Sequence, residues 1–369
     1  MNAATATESL HRRLSANERY FDAHAEPIAH RCRELAERFV AGGRLLAAGA
    51  SAADRSDARH VAVEFVHPVI VGKRALPALS VDADSLALLA RPADIVMGFG
   101  ADLSAAARLG CLTIDFGVPD PDPFVAQELV ETHYHLLWEL VHVFLEHLDA
   151  RRHDPGASGF LYPFLESGDA DPAAALEDVR RSVLIKAREV RELRAQTLGE
   201  DRPAVEAAAA AMRERLTDGG KVLALGNGGS ATDAMDIVAD LREPPPGRGW
   251  QARPAIDLTD DPAILTAIAN DVGFESVFTR QVIAYGEPTD VLVAISTSGG
   301  SANVIAALAE ARRRGLLSLA LVGYDGGRVA SEGLADHVLV TRCEHIPRIQ
   351  EAQAGVLHVL RELIEEPAA

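Results

Sequence analysis

Two short segments combine glycine with hydroxyl side chains, each between an apolar run and a stretch patterned as a helix. The first is Gly226-Asn227-Gly228-Gly229-Ser230 and the second is Ser296-Thr297-Ser298-Gly299-Gly300-Ser301. Glycine lets a backbone approach a ligand closely. A helix N-terminus offers free N–H groups and the positive end of its dipole. Asn227, Gly228, Gly229 and Ser230, with Ser296, Thr297, Ser298 and Ser301, therefore read as an anion cradle of the kind that holds a phosphate. A plain strand-to-helix turn accounts for the first segment equally well. The second carries more hydroxyls than a turn requires. Neither follows GxxxxGK[ST] or GxGxxG, so a nucleotide is not the favoured anion.

A third pattern concerns metal-type residues. His60 and Glu64 are four apart and share one face of a helix. Gln127 and His135 are eight apart on a later helix, about 80° from alignment at 3.6 residues per turn. Together His60, Glu64, Gln127 and His135 have the donor types of a four-coordinate zinc site. The alternative is an ordinary surface His–Glu pair. His67, His133 and His142 lie nearby and read as packing or surface histidines.

The elements that must position these residues occur twice. Ala41-Gly-Gly-Arg-Leu-Leu-Ala-Ala-Gly49 is repeated 177 positions later as Asp218-Gly-Gly-Lys-Val-Leu-Ala-Leu-Gly226. Asp57-Ala58 returns at Asp233-Ala234, Asp94 at Asp290, Gln127 at Gln350 and His135 at His358, in the same order. A period of this size indicates a duplicated domain rather than a solenoid. Each copy opens with helical patterning, over 4–40 and 176–217. Short apolar runs then alternate with helical stretches, which implies a parallel sheet flanked by helices. The second copy has five such runs, at 222–225, 255–258, 291–295, 316–322 and 337–340. The first has four, at 45–48, 78–81, 95–99 and 112–116, and lacks the fifth. Each copy closes on a long amphipathic helix, near 124–147 and 347–366. The sequence thus divides into 1–150, a Gly-, Pro- and Asp-rich linker at 151–175, and 176–369.

The chain has 369 residues, with 36 Lys and Arg against 54 Asp and Glu, for a net charge of −18. A surface of that sign repels nucleic acid and anionic membrane, so neither is an expected partner. No apolar run reaches the ~18 residues of a membrane span, and the first residues lack the apolar core of a signal peptide. Cys32, Cys111 and Cys343 are too far apart and too few for a disulfide framework, which fits a reducing cytoplasm.

On these motifs the sequence resembles the SIS (sugar isomerase) domain family, and within it the phosphoheptose isomerases. The resemblance is carried in the second copy by GNGGSATDAM at 226–235, LTAIANDVGFESVFTRQV at 265–282, AISTSGGSANVIAAL at 294–308 and RIQEAQAGVLHVLRELIE at 348–365. GGRLLAAG, SDARHVAVEF and QELVETHYHLLWEL carry it in the first. It implies α/β architecture in two tandem SIS domains, the first degenerate. It also implies a phosphorylated sugar on the two serine loops, with Asp261, Gln350 and His358 among the substrate-binding residues. The family's zinc ligands fall on His60, Glu64, Gln127 and His135 in the first copy. In the second they fall on Asp236, Asp240, Gln350 and His358, where two positions depart from the family's His and Glu. The first copy in turn lacks the glycine and hydroxyl runs in both loops.

The resemblance implies an aldose–ketose isomerase working through an enediol(ate), with Glu64 as base, His135 as acid–base partner and Zn2+ as cofactor. Because the metal residues and the phosphate loops lie in different copies, a composite site across an interface is expected. A homodimer, imitating a tetramer of four SIS domains, would be the assembly. The alternative is a catalytically silent SIS protein that binds a phosphosugar or a partner protein.

Overall fold

The structure, a computed structural model, describes residues 3–70, 73–117, 120–148 and 172–365. The expected linker falls largely outside the described residues. The chain forms two compact units, one of Ser15–Glu189 and one of Met1–Leu14 with Val190–Ala369. These limits differ from the division at 150 and 176. The reason is that two helices change cores along their length: α1 (Ala3–Val40) and α6 (Pro172–Ala195) each contribute to both units. Helical periodicity shows that a face is buried but not which core it packs against.

The first unit contains β1 (Leu45–Gly49), α2 (Ala52–Val66), β2 (Ala78–Ser80), α3 (Leu86–Leu89), β3 (Ile95–Phe99), α4 (Ser104–Arg108), β4 (Leu112–Asp115) and α5 (Pro123–Leu148). Its four strands are all parallel, in the order β2-β1-β3-β4. As the sequence indicates, no fifth strand stands in this sheet among the described residues. One face of the sheet presents Leu45, Ala47, Ile95 and Met97 to a large core with α1, α2, α5 and α6. The other face is thin. There Leu46, Ala48, Leu86, Val96, Ala106 and Cys111 make up the buried cluster, covered by the short α3 and α4.

The second unit continues from α6 through a π-helical turn, Gln196–Glu200, into α7 (Arg202–Thr217). It then runs β5 (Val222–Leu225), α8 (Gly229–Arg242), β6 (Ala255–Asp257), α9 (Pro262–Asp271), α10 (Thr279–Tyr285), β7 (Val291–Ser296), α11 (Ala302–Arg314), β8 (Leu317–Gly323), α12 (Gly327–Ser331), β9 (His337–Thr341) and α13 (Ile346–Glu365). Five parallel strands are ordered β6-β5-β7-β8-β9. Both faces have substantial cores, one with α7, α8 and α13 and the other with α10 to α12. The first turns of α1 join this unit, where Leu10 packs on the core and Arg13 bonds Ser9 and pairs with Glu362 at 3.1 Å. No described helix is long and apolar enough to cross a membrane.

Candidate functional site

The strand order locates the crevice. In the second unit the chain moves from β5 outward to β6, then returns to the other side of β5 to lay down β7. Ligands of open α/β sheets bind where the order reverses, at the carboxyl ends of the strands. The two loops there are the two serine-glycine segments. β5 leads through Asn227 and Gly228 into α8, and β7 leads through 297–301 into α11. Gly228 has φ +58°, a backbone region open mainly to glycine. Asn227 and Asn303 tie the loops together through reciprocal amide bonds of 3.0 and 2.8 Å. Ser296 and Ser301 approach through their hydroxyls at 3.4 Å, and the Gly300 N–H donates to Ser298 Oγ at 3.2 Å.

Neither helix that starts here is closed by its own cap. Gly228 before α8 and Ser301 before α11 make no side-chain cap bond. Within the first turns the Ser230 and Ala231 N–H groups donate to Asn227 O and Gly228 O at 3.1 and 2.9 Å, and the Val304 N–H to Asn303 Oδ1 at 3.0 Å; the positive ends of both helix dipoles still face the crevice. Ser298 stands exposed at its rim. It also lines an open cleft of about 820 Å³ with Tyr324, Asp325, Arg342, Cys343 and Glu344. Asp261, in contrast, is occupied as a cap: its Oδ1 accepts from the Ala263 and Ile264 N–H groups at 2.8 and 3.0 Å.

The equivalent crevice of the first unit is filled from within. Ser51 and Asp54 form a capping box at the start of α2. Ser51 Oγ accepts from the Asp54 N–H at 3.1 Å, and Asp54 Oδ2 from the Ser51 N–H at 2.9 Å. That carboxylate reaches the second loop, lying 3.0 Å from where a Cβ on Gly100 would stand. On that loop Asp102 accepts from the Ser104 N–H and hydroxyl at 2.9 and 3.0 Å. Two carboxylates thus stand where the second unit offers donors, and an external anion would meet like charge.

Of the metal-type residues expected in the first unit, His60 on α2 and His135 on α5 meet directly. His60, Glu64 and His135 are 1, 2 and 0% exposed. The Nε2 atoms of His60 and His135 face each other at 3.3 Å, and Glu64 Oε1 lies 3.8 Å from His60 Nε2. Burial, helped by His135, pushes the His60 imidazole well below its usual range, so it stays neutral at pH 7. Gln127 is half-buried two turns before His135. A residue that the sequence reading passed over, Glu131, belongs to the cluster. It is 4% exposed, and the ligand atoms of His60, Glu131 and His135 all lie within 4.8 Å of one another. Among the described residues no other group of three His, Cys, Asp or Glu comes together in this way. The i,i+4 spacing of Glu131 and His135 was the available signal. A buried imidazole pair with a carboxylate at this spacing fits the donor types of zinc. His133 and His142 are core side chains, both pushed down to about 3 by burial, and His67 is exposed.

In the second unit Asp240 on α8 stands beside His358 on α13. Asp240 is 7% exposed, and burial raises its carboxyl to about 6 against the pull of His358 and Arg361. Asp233 on the same helix is also buried and raised. Asp236 is half-buried, and Gln350 and His358 are buried on α13.

The SIS domain family matches residues 187–323. A phosphoheptose isomerase from Geotalea daltonii is 43% identical over 167 residues, covering 44% of this chain and 84% of that protein. One from Rhodospirillum rubrum is 42% identical over 172 residues, covering 46% and 88%. Solved structures extend the likeness of fold to most of the chain. The C-terminal domain of a glucosamine-fructose-6-phosphate aminotransferase from Francisella tularensis covers 96% of this chain and 93% of its own, with TM-score 0.60 and 10% identity. A tagatose-6-phosphate ketose/aldose isomerase from Escherichia coli covers 99% and 94%, with TM-score 0.53 and 12% identity. The chain belongs to the SIS-domain family. Its two parallel sheets are a tandem pair of SIS-type units, and the second is of the phosphosugar-isomerase type.

Proposed function

We propose that the chain is an aldose–ketose isomerase acting on a phosphorylated sugar, of the kind named for its phosphoheptose isomerase relatives. The observation that carries this is the pair of uncapped helix ends at the sheet's reversal point, furnished with Ser230, Ser296, Thr297, Ser298 and Ser301. These donors hold the phosphate, Asn227 and Asn303 fix the loops to each other, and the cleft beyond Ser298 accepts the hydroxylated chain.

Isomerisation moves a proton between adjacent carbons through an enediol(ate), and a positioned base contributes about 10²–10⁴-fold. Within the unit that carries the phosphate loops, Asp240 has the property required. A carboxyl raised to about 6 takes up and releases a proton near neutral pH, and His358 beside it is the acid–base partner. The assignment of these roles to Glu64 and His135 is the competing one. It rests on the family's residue types, with zinc supplying polarisation of the sugar oxygens. Asp240→Asn and Glu64→Gln separate the two: under this reading the first abolishes turnover while the second leaves phosphosugar turnover in place. Copies of the chain pair as a homodimer, and the three free cysteines suit a reducing compartment.

The test is incubation of the purified chain, zinc-replete, with heptose and pentose phosphates in D2O. Interconversion with deuterium entering at C2 is the expected result. Binding without exchange would favour a silent phosphosugar-binding protein, and neither binding nor exchange would end the proposal.

A further inference from the structure

The turn that follows β8 is held in a conformation that its sequence resists. Among the described residues Tyr324 alone, glycines apart, has a positive φ, of +54°. The left-handed region crowds a Cβ against the backbone, so a bulky residue there is an outlier. The Gly326 N–H donates to the Gly323 oxygen at 2.8 Å, which closes a four-residue turn with Tyr324 at its first central position. Where that position has positive φ, glycine is the residue that fills it without a clash. The chain does use glycine next door, where Gly326 and Gly327 have φ +90° and +53°. Neighbouring bonds hold Tyr324 in place. Its N–H donates to the Cys343 oxygen at 3.2 Å, and the Gly323 N–H before it donates to the Thr297 oxygen at 2.9 Å. A Cβ on Gly299 would lie 2.2 Å from the Gly326 oxygen, and one on Gly327 would lie 2.3 Å from the Ser298 oxygen. The turn is therefore packed directly on the second serine loop.

Core packing does not account for the side chain placed there. Tyr324 is half-buried and belongs to neither apolar core of its unit. It lines the cleft of about 820 Å³ that opens beside Ser298. Two charged groups along that cleft are engaged within the chain. Asp325 Oδ1 accepts from the Gly327 N–H at 3.0 Å, and Arg342 pairs with Asp201 at 2.9 Å. Burial raises the Tyr324 phenol above its usual range, so at neutral pH it keeps its proton and can donate it in a hydrogen bond. An apolar ring with a polar tip matches a sugar's carbon chain, which presents C–H groups and hydroxyls together. Strained backbone persists where surrounding structure over-determines it, and such positions cluster at ligand sites. We propose that Tyr324 is a specificity-determining residue: with the phosphate on the serine loops, its ring is the wall against which the carbon chain of the phosphosugar lies, so that long chains are favoured over short ones. The inference rests on the reading of those loops as a phosphosugar site, and adds which residue reads the rest of the ligand.

The experiment is calorimetric titration of the full chain with three probes: a heptose phosphate, a pentose phosphate and inorganic phosphate. Relative to the parent, Tyr324→Gly should bind the heptose phosphate about tenfold more weakly, as loss of a half-buried ring contact implies. The pentose phosphate should lose less, and inorganic phosphate should bind as before. Tyr324→Phe keeps the ring and should keep most of the heptose phosphate affinity. Melting temperature supplies a second readout. Glycine relieves the left-handed backbone, so Tyr324→Gly should melt higher than the parent, whereas a ring that merely supported the fold would make it melt lower. An equal loss on all three probes would mean that Tyr324 acts through the serine loop. No loss on the heptose phosphate would mean that the chain lies elsewhere. A Phe variant as weak as the Gly variant would take the role from the ring. Each of these, or a lower melting temperature for Tyr324→Gly, overturns the proposal while leaving the phosphosugar site standing. A parent that binds none of the three probes ends the phosphosugar reading itself and this inference with it, so the two failures are told apart.

Discussion

Replacing Asp240 by Asn should stabilise the protein while stopping its chemistry. The Asp240 carboxyl is held at about 6 against an ordinary 3.8, with burial as the leading cause. That difference is about two units, and each unit corresponds to about 1.4 kcal/mol, so ionised Asp240 costs the folded state about 3 kcal/mol. The sign follows from proton counting. Between about pH 4 and pH 6 the folded chain keeps this proton and the unfolded chain has released it, so stability falls as pH rises through that window. Above it the whole cost is present. The Asn variant carries no such cost. It also preserves the surrounding bonds, because Arg361 donates to the backbone oxygen of Asp240 at 3.1 Å, to Gln251 O at 3.3 Å and to Glu365 at 2.6 Å, none of which uses the Asp240 side chain. Urea unfolding of both proteins across pH 4 to 8 is the assay. The variant should exceed the parent by about 3 kcal/mol near pH 7.5, and the two should converge near pH 4. Turnover should fall about 10²–10⁴-fold, and kcat/KM of the parent should rise with pH through about 6. A variant no more stable than the parent near pH 7.5, or a difference that does not change with pH, would refute the reasoning.

Ser298→Ala and Ser301→Ala should each weaken phosphosugar binding by about 1.5–3 kcal/mol, the value of a hydrogen bond to a charged group; unchanged affinity by titration calorimetry in both would remove the phosphate from these loops. Asp54→Ala should destabilise the first unit by about 1 kcal/mol, as loss of a helix cap does, with phosphosugar affinity unaltered; a fall in affinity instead would place substrate at the first crevice. Light scattering on the purified chain should give the mass of a dimer, and a monomer at micromolar concentration would remove the four-unit assembly.

Much of the fold is legible in the residue pattern because parallel strands buried on both faces are short continuous apolar runs. Ile95–Phe99 and Val222–Leu225 are strands over the residues their apolarity marks, and the first copy, which has no fifth run, has no fifth strand among its described residues. The unit boundaries were less legible. Nothing in the periodicity of α1 says that Leu10 packs on one core and Phe21 on another. The serine loops could be read because glycine and hydroxyls at a strand-to-helix junction have few structural reasons to coincide. Glu131 could not be chosen from pattern alone. α5 also buries Glu128 and Glu139, and only the packing of α2 against α5 distinguishes the carboxylate that meets His60. Asp240 is a further case, since a carboxylate at a family glutamate position reads as a defect until its burial is known.

The contrast between the two crevices gives a physical account of how the copies diverged. A helix N-terminus at a sheet's reversal point must satisfy its N–H donors with something. In the second unit the cap residues Gly228 and Ser301 make no side-chain bond to those donors. In the first, Ser51, Asp54 and Asp102 satisfy them from within the chain. An internal carboxylate is bound at no cost in translational freedom, so the exchange stabilises the fold and removes the site in the same step. Once anion binding is lost, the face that carried the second loop is no longer needed at full size. The reduction of α9 to α11 in one unit to the short α3 and α4 in the other is what that relaxation would leave. The opposite sheet face was kept, because α1, α2, α5 and α6 supply the first unit's main core, and its His–Glu cluster lies between two of them. The two copies therefore differ at the same two loops, which carry internal carboxylate caps in the first unit and no side-chain caps in the second.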